Sequence, residues 1–332
     1  MFTPPIENRA FDEAGAVPSG GIASATLSHL RDPRTRRNLA IRQSIVTEIR
    51  EQLLSESFQE FETPVLGERI DEYSSGIFRA ESARGDELWL VQSPQLFKQT
   101  LIAAGYPRYL QFAHCFRDEA PEAGRYDRMR EFVQVDIEME TADAAQVRRL
   151  VERLFKRICA AVGREVATPF PEIDAVTAVA EYGTDRPDLR SGPDDWSFVW
   201  VVDFPMAARD AGGTPRLERH PMAQPTEIPV DAAHACELRT RSYDLVLNGY
   251  EIGSGDLRIH DPRMQEAVLK AMDLPPEQFD VLLEVLASGC PPHGGVGIGL
   301  DRLTMALGGS FDIAEASAFP HWFGCVRPEE RP

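Results

Sequence analysis

The chain has 332 residues, with 35 basic against 53 acidic side chains and a formal net charge of −18. A composition of 43% hydrophobic and 27% charged residues is that of a globular protein and excludes disorder of the whole chain, and the acidic balance excludes holding nucleic acid by bulk positive charge. No apolar run reaches the roughly 18 residues of a membrane-spanning helix, no secretory signal opens the chain, and five scattered cysteines without a CxxC pair point to reduced thiols in a cytoplasmic protein.

Residues 1–30 carry Pro4, Pro5, Pro18 and Gly20-Gly21 with little periodicity. They read as an extended N-terminal arm ahead of one domain over 31–332. Asp32-Pro33 joins a good N-cap to a proline suited to the first helical turn, and Leu39, Ile45, Val46, Ile49, Leu53 and Leu54 then recur at helical spacing towards Ser57. Phe58 to Leu66 reads as a strand that Pro64 consigns to an edge, and so to a candidate subunit boundary. Glu87 to Val91 reads as a short strand, Ser93-Pro94 opens a helix, and Arg108 to Arg117 is a strand. From Phe132 to Glu140, Val133, Val135, Ile137 and Met139 alternate with Gln134, Asp136 and Glu138. That is period two, with a polar face that either meets solvent or lines a ligand floor.

Residues 143–160 form an amphipathic helix whose Arg148, Arg149, Arg153, Lys156 and Arg157 read as a solvated face. Ser197 to Phe204 and Ser242 to Ile252 read as strands, and Pro275 to Ser288 as a helix stopped by Gly289. Gly294 to Gly299 reads as a glycine-spaced strand feeding a helix that starts near Leu300. Without regular βαβ units the order predicts an α+β fold with a large, mostly antiparallel sheet flanked by helices. No GxxxxGK[ST] loop, dinucleotide GxGxxG, GxSxG elbow or HExxH is present, which speaks against P-loop, dinucleotide-fold, hydrolase and zincin chemistry. His114, His234 and His260 read as structural or surface residues.

Four segments in order carry a resemblance: QSPQLFKQ at 92–99, FRDE at 116–119 with EFVQVDIE at 131–138, YDLVLNGYEIGSGDLRIH at 243–260, and PPHGGVGIGLDRLTM at 291–305. Together they resemble the catalytic domain of bacterial-type aspartyl-tRNA synthetase, a class II aminoacyl-tRNA synthetase, from about Asp32 to Pro320. The leading helix with FETPVL is similar to that class's dimer-forming first motif, so a homodimer is implied. The resemblance implies the class II catalytic fold and activation of L-aspartate by ATP. The substrate carboxylate attacks the α-phosphate and pyrophosphate leaves, while the protein positions the reactants and neutralises charge.

The resemblance further implies that Arg117, Arg302 and Glu251 carry the chemistry. Arg117 would bridge the α-phosphate and the amino-acid carboxylate, Glu119 would hold the adenine amino group, Phe132 would stack under the ring, and Arg302 would cap it and meet the γ-phosphate. Gly299 and His220 complete the ATP-binding set. Asp244 and Glu251, on one strand region, match magnesium ligands, and hard carboxylates are the usual partners of Mg²⁺. Lys98 and Arg258 match the cations that grip the aspartate side chain. Asp136 would orient them, and Gln134 shares its face. Glu72, Ser93 and Gln95 match positions around the α-amino group. On this reading a neutral asparagine leaves a buried cation underpaired, at about 1–3 kcal/mol.

The departures from the family concern the acceptor. The anticodon-binding OB-fold domain is expected to be absent because only the 1–30 arm precedes the first motif, and the domain inserted after a YGxDxPDLR segment because EYGTDRPDLR at 181–190 runs almost directly into SFVWVVDFPM. EYSSGI at 72–77 stands where the family has EGARDY, and the loop APEAGRYDRMR at 120–130 is longer. Arg219-His220-Pro221 replaces a His-His-Pro triplet, which leaves the role of Arg219 open. The acceptor is therefore a tRNA 3′ end or another amine, namely ammonia, a small molecule, a peptide or a protein. The alternative from another class is a non-catalytic pseudo-synthetase, against which the retained Arg117, Glu119, Asp244, Glu251 and Arg302 argue.

Overall fold

The computed structural model describes residues 22–67, 76–118, 126–192 and 195–320. Asp32 caps a helix over Pro33–Ser55, its carboxylate accepting from the backbone N–H of Arg34 and Thr35. The segment before it is not an extended arm throughout: Ile22–Arg31 is helical, and His29 Nε2 lies 2.8 Å from the Ser317 carbonyl oxygen.

Among the described residues the main sheet has eight strands: β1 (Gln59–Glu60), β2 (Arg108–Phe116), β3 (Glu131–Glu140), β4 (Glu172–Asp174), β5 (Phe198–Val202), β6 (Ser242–Leu247), β7 (Tyr250–Leu257) and β8 (His293–Gly299). Their spatial order is β1-β2-β3-β8-β7-β6-β5-β4. The outermost pairs, β1 with β2 and β4 with β5, are parallel, and every pair between them is antiparallel. Phe58 to Leu66 is not one strand, and Pro64 falls in the unpaired stretch. Only Gln59–Glu60 pairs, at the sheet edge, and Leu66–Gly67 joins a separate three-stranded sheet with Arg79–Glu81 and Glu87–Leu90.

Two further expectations need correction. Ser242 to Ile252 is not one strand but a hairpin. Asn248 and Gly249 both sit at positive φ, 54° and 83°, the left-handed pair that a two-residue type I′ turn requires. Asp244 and Glu251 therefore come from two antiparallel strands. Pro275 to Ser288 is likewise divided, into a 3-10 turn at Pro276–Gln278 and a helix at Asp280–Ala287.

One face of the sheet is apolar. Val135, Ile137, Val296, Ile298 and Leu245 pack on Ile45, Ile49 and Leu53 of the Pro33–Ser55 helix and on Val147, Leu150, Val151, Leu154 and Ile158 of a helix over Ala144–Ala161. The basic face of the latter helix is tied down by surface ion pairs, Arg148 to Glu172, Arg149 to Asp143, Arg153 to Glu56 and Arg157 to Glu48. Cys115, Cys159 and Cys290 are buried thiols and Cys236 is a half-buried one. No described helix is long and apolar enough to cross a membrane.

Candidate active site

The opposite face of the sheet builds the site. Antiparallel register aligns Asp136 with Gly297, Gly297 with Ser254, and Ser254 with Asp244. One step along, Glu138 aligns with Gly295 and Gly295 with Asp256, and on the other side Gln134 aligns with Gly299. The glycines of β8 that face this side leave a trough. A Cβ at Gly297 would collide with the Gln134 amide, and one at Gly295 with the Ile137 carbonyl and the Glu138 carboxylate. Period-two glycine thus clears a floor over which polar side chains of β3 and β7 converge.

Ser93, Gln95, Lys98, Arg117, Phe132, Gln134, Asp136, His220, Glu251, Arg258, Gly299 and Arg302 line one cavity of about 530 Å³. Asp244 lies behind Arg219, which also lines it. Glu72 and Glu119 lie outside the described residues. Lys98 and Gln95 come from the helix Gln95–Ala103, where both are buried. Gln95 Nε2 donates to Gln99 Oε1 at 3.1 Å, and Gln99 Nε2 lies 3.2 Å from His293 Nε2, which anchors the helix to β8.

At one end of the cavity lies a buried charge cluster. Lys98 Nζ is 2.5 Å from Asp136 Oδ1 and 3.0 Å from Glu138 Oε2. Arg258 Nε donates to Glu138 Oε1 at 3.2 Å, and its Nη1 is 2.7 Å from Asp256 Oδ1. Burial opposes each of these charges, but the surrounding cations bring Glu138 down to about 2, and Asp136 and Glu138 raise the Lys98 pKa. Burial pushes Asp136 and Asp256 up despite the same cations.

At the other end, Arg302 donates through Nη1 to the Glu251 carbonyl at 2.6 Å and through Nε to the Asp127 carbonyl at 3.3 Å. The Arg117 guanidinium lies 5.3 Å from the centre of the Phe132 ring. Asp301 joins this end to the core. It accepts from the Val133 N–H and pairs with Arg42, both at 2.7 Å.

Arg219 was left without a role by the sequence. Its Nη1 and Nη2 donate to Asp244 Oδ2 and Oδ1 at 2.9 and 2.7 Å, Nη2 also donates to Ser254 Oγ at 2.8 Å, and the guanidinium lies 4.3 Å from the centre of the Phe204 ring. Both oxygens of Asp244 are thereby engaged. As arranged here, the Asp244 and Glu251 pair does not fit a divalent cation held in the way the resemblance implies, and no cluster of three or more metal-ligating side chains occurs among the described residues. Glu251 stays loosely held, 3.9 Å from Arg302 Nη1.

Sequence reasoning set Glu138 on a face that could line a ligand floor but gave it no role, and it passed over Asp256 and Asp127. The signal for the first two was present: Glu138 continues the Gln134 and Asp136 alternation, and Asp256 is two residues from both Ser254 and Arg258. For Asp127 there was none.

His220 is held neutral. Burial, then the charges of Arg258, Lys98, Arg117 and Arg219, bring its pKa to about 3. A base with a depressed folded pKa binds fewer protons folded than unfolded, so stability falls as pH drops below the unfolded value of about 6.5. The ligand-free protein is expected to melt at a lower temperature at pH 5 than at pH 7.5, and His220→Gln should shrink that difference. Thermal melts of both proteins at the two pH values check this, and an unchanged difference in the variant contradicts it.

Residues 17–322 match the family of class II tRNA synthetases for D, K and N. The chain is 32% identical to the aspartate–tRNA(Asp/Asn) ligase of Synechococcus sp. (strain RCC307), covering 88% of this chain and 72% of that protein. It is 30% identical to the enzyme of the same name from Oleidesulfovibrio alaskensis, covering 88% and 69%. The first of these alignments runs over 438 positions, more than the chain has residues, so that relative carries internal segments this chain lacks. In fold the chain is similar to the asparaginyl-tRNA synthetase of Pyrococcus horikoshii, with a TM-score of 0.70 at 18% identity over 91% of this chain and 72% of that one. The asparaginyl-tRNA synthetase of Entamoeba histolytica gives 0.72 at 18% identity over 92% and 73%. With its mostly antiparallel α+β sheet and its match over nearly the full length, the chain belongs to the class II aminoacyl-tRNA synthetase family.

Proposed function

We propose that the chain is a cytoplasmic, ATP-dependent ligase that activates L-aspartate, or a close analogue, as the aminoacyl adenylate and hands it to an acceptor. The observation that carries this reading is the shared cavity. Lys98, Arg117, Arg258 and Arg302 converge there. Arg117 Nε, His220 Nε2 and Asp256 Oδ1 are buried beside it without hydrogen-bond partners among the described residues. Polar side chains left unsatisfied along a cleft are the ones a ligand would satisfy.

The amino acid would sit on the Lys98, Asp136 and Arg258 side, with Ser93, Gln95 and Gln134 about its backbone end. ATP would sit between Phe132 and Arg302 beside Gly299. Arg117, between the two, would hold the attacking carboxylate against the α-phosphorus and neutralise charge as the P–O bond to pyrophosphate breaks. For the Mg²⁺ implied with ATP, Glu251 is the loosely held carboxylate that faces the cavity. The acceptor is a tRNA 3′ end or another amine, and the working unit is a homodimer.

Amino-acid-dependent exchange of labelled pyrophosphate into ATP tests the activation step. Exchange is expected with a four-carbon amino acid of the aspartate type and not with lysine. Its absence with every amino acid overturns the reading. Exchange without transfer to bulk tRNA assigns the acceptor to the non-tRNA amines.

A further inference from the structure

The amino-acid end of the cavity holds more buried acid than buried base. Asp136, Glu138 and Asp256 are 1%, 0% and 4% exposed, and Lys98 and Arg258 are 2% and 5% exposed. Lys98 is shared by Asp136 and Glu138, and Arg258 by Glu138 and Asp256, at the distances given above. Each cation thus already has two carboxylates. Of the neighbouring groups, Arg219 attracts Asp256 but is already held by both oxygens of Asp244, and His220 is neutral.

A substrate β-carboxylate would bring a fourth negative group to two cations in a desolvated site. That is the arrangement in which like charges repel most. The expectation that asparagine would leave a cation underpaired is removed by Asp256, which already supplies Arg258 with a counter-charge. Asp256 Oδ1, although 2.7 Å from Arg258 Nη1, has no aligned hydrogen-bond donor. Asp256 lines the cavity, and an amide would bring its carboxylate an N–H, bring an acceptor oxygen to the cations, and add no charge.

We propose that the side-chain subsite takes an uncharged amide in preference to a carboxylate, and that Asp256 is the specificity-determining residue. This rests on the reading that the cavity binds a four-carbon amino acid as its adenylate, and it names which one: asparagine or an amide of the same shape.

The test compares asparaginyl and aspartyl sulfamoyl-adenosine, non-reacting adenylate mimics of nearly equal shape and different charge, by titration calorimetry on the full chain. The wild type is expected to bind the asparaginyl mimic at least about tenfold more tightly. Asp256→Asn should erase or invert that preference, and Asp256→Ser serves as a second variant if the first does not fold. An aspartyl mimic bound as tightly or more tightly by the wild type overturns the proposal, as does an unchanged ratio in a folded variant, or binding of neither mimic. Because the mimics do not react, failure of pyrophosphate exchange counts against activation alone, while the ratio of the two affinities still decides the subsite.

Discussion

Arg302→Ala and Arg117→Ala are each expected to lower pyrophosphate exchange by about a hundredfold or more, the loss typical of removing a preorganised group that meets developing charge. The expectation comes from how the two side chains are held. Arg302 is fixed by the Glu251 and Asp127 carbonyls, while its pairing to the Glu251 carboxylate is long, at 3.9 Å, and that to Asp127 Oδ2 is 3.4 Å. A guanidinium positioned mainly by neutral carbonyl oxygens keeps most of its charge available to a phosphate. Arg117 makes no ion pair among the described residues, and its Nε is buried without a hydrogen-bond partner. In water-poor surroundings such a group attracts an anion far more strongly than it would at a surface. No hydrogen bond or ion pair joins Arg302 to the Lys98 and Arg258 cluster, so the Arg302 variant should still bind the free amino acid, whereas the Arg117 variant, which loses the group that holds the substrate carboxylate, should bind it more weakly. Arg302→Lys should recover little, because an ammonium cannot reproduce the two-pronged geometry. Exchange kinetics with amino-acid binding measured in parallel check the split. Exchange within about threefold of wild type in either folded alanine variant would contradict the assignment.

Much of the fold was legible because it follows from periodicity. The alternation in β3 gives both the apolar face on the helices and the polar face in the cavity, and the Asp32-Pro33 cap fixes where the first long helix begins. The hairpin at Asn248-Gly249 was also legible in principle, since Asn-Gly between apolar runs marks such a turn. It was missed because the residues on either side read as one continuous strand. The glycines of β8 read as a glycine-spaced strand, and their period of two already says that one strand face is bare. The charge partners were not legible. Arg258 meets Glu138 across 120 residues and Arg302 meets Asp127 across 175, and only the sheet order brings these together. Resemblance could point to Lys98 and Arg258 as cations facing the ligand, but not to how far their charge was already compensated.

The pairing of Arg219 with Asp244 leads to the second large effect, on metal binding. A divalent cation seated on Asp244 must first displace a guanidinium that holds both carboxylate oxygens, donates to Ser254 Oγ and has a side chain only 13% exposed. Charge-assisted two-pronged pairs of this kind are among the stronger polar contacts, and separating one in a buried setting leaves a charge uncompensated. The nucleotide-free protein is therefore expected to show no tight Mn²⁺ site when free Mn²⁺ is followed by electron paramagnetic resonance, with Mn²⁺ standing in for Mg²⁺ as another oxygen-seeking ion. Arg219→Ala should uncover Asp244 beside Glu251 and tighten Mn²⁺ binding by about tenfold or more, a gain that Asp244→Asn in the same background should remove. The alanine variant should also lose about 3–5 kcal/mol of stability without metal, because Asp244 is left buried and unpaired. Added Mn²⁺ should restore part of that loss through its preference for the folded state. If Arg219→Ala proves too unstable, Arg219→His, which shortens the side chain and weakens its charge, supplies the same comparison. Wild-type protein that binds Mn²⁺ as tightly as either variant would mean that the ion and Arg219 share Asp244, and that the guanidinium does not stand in the metal's place.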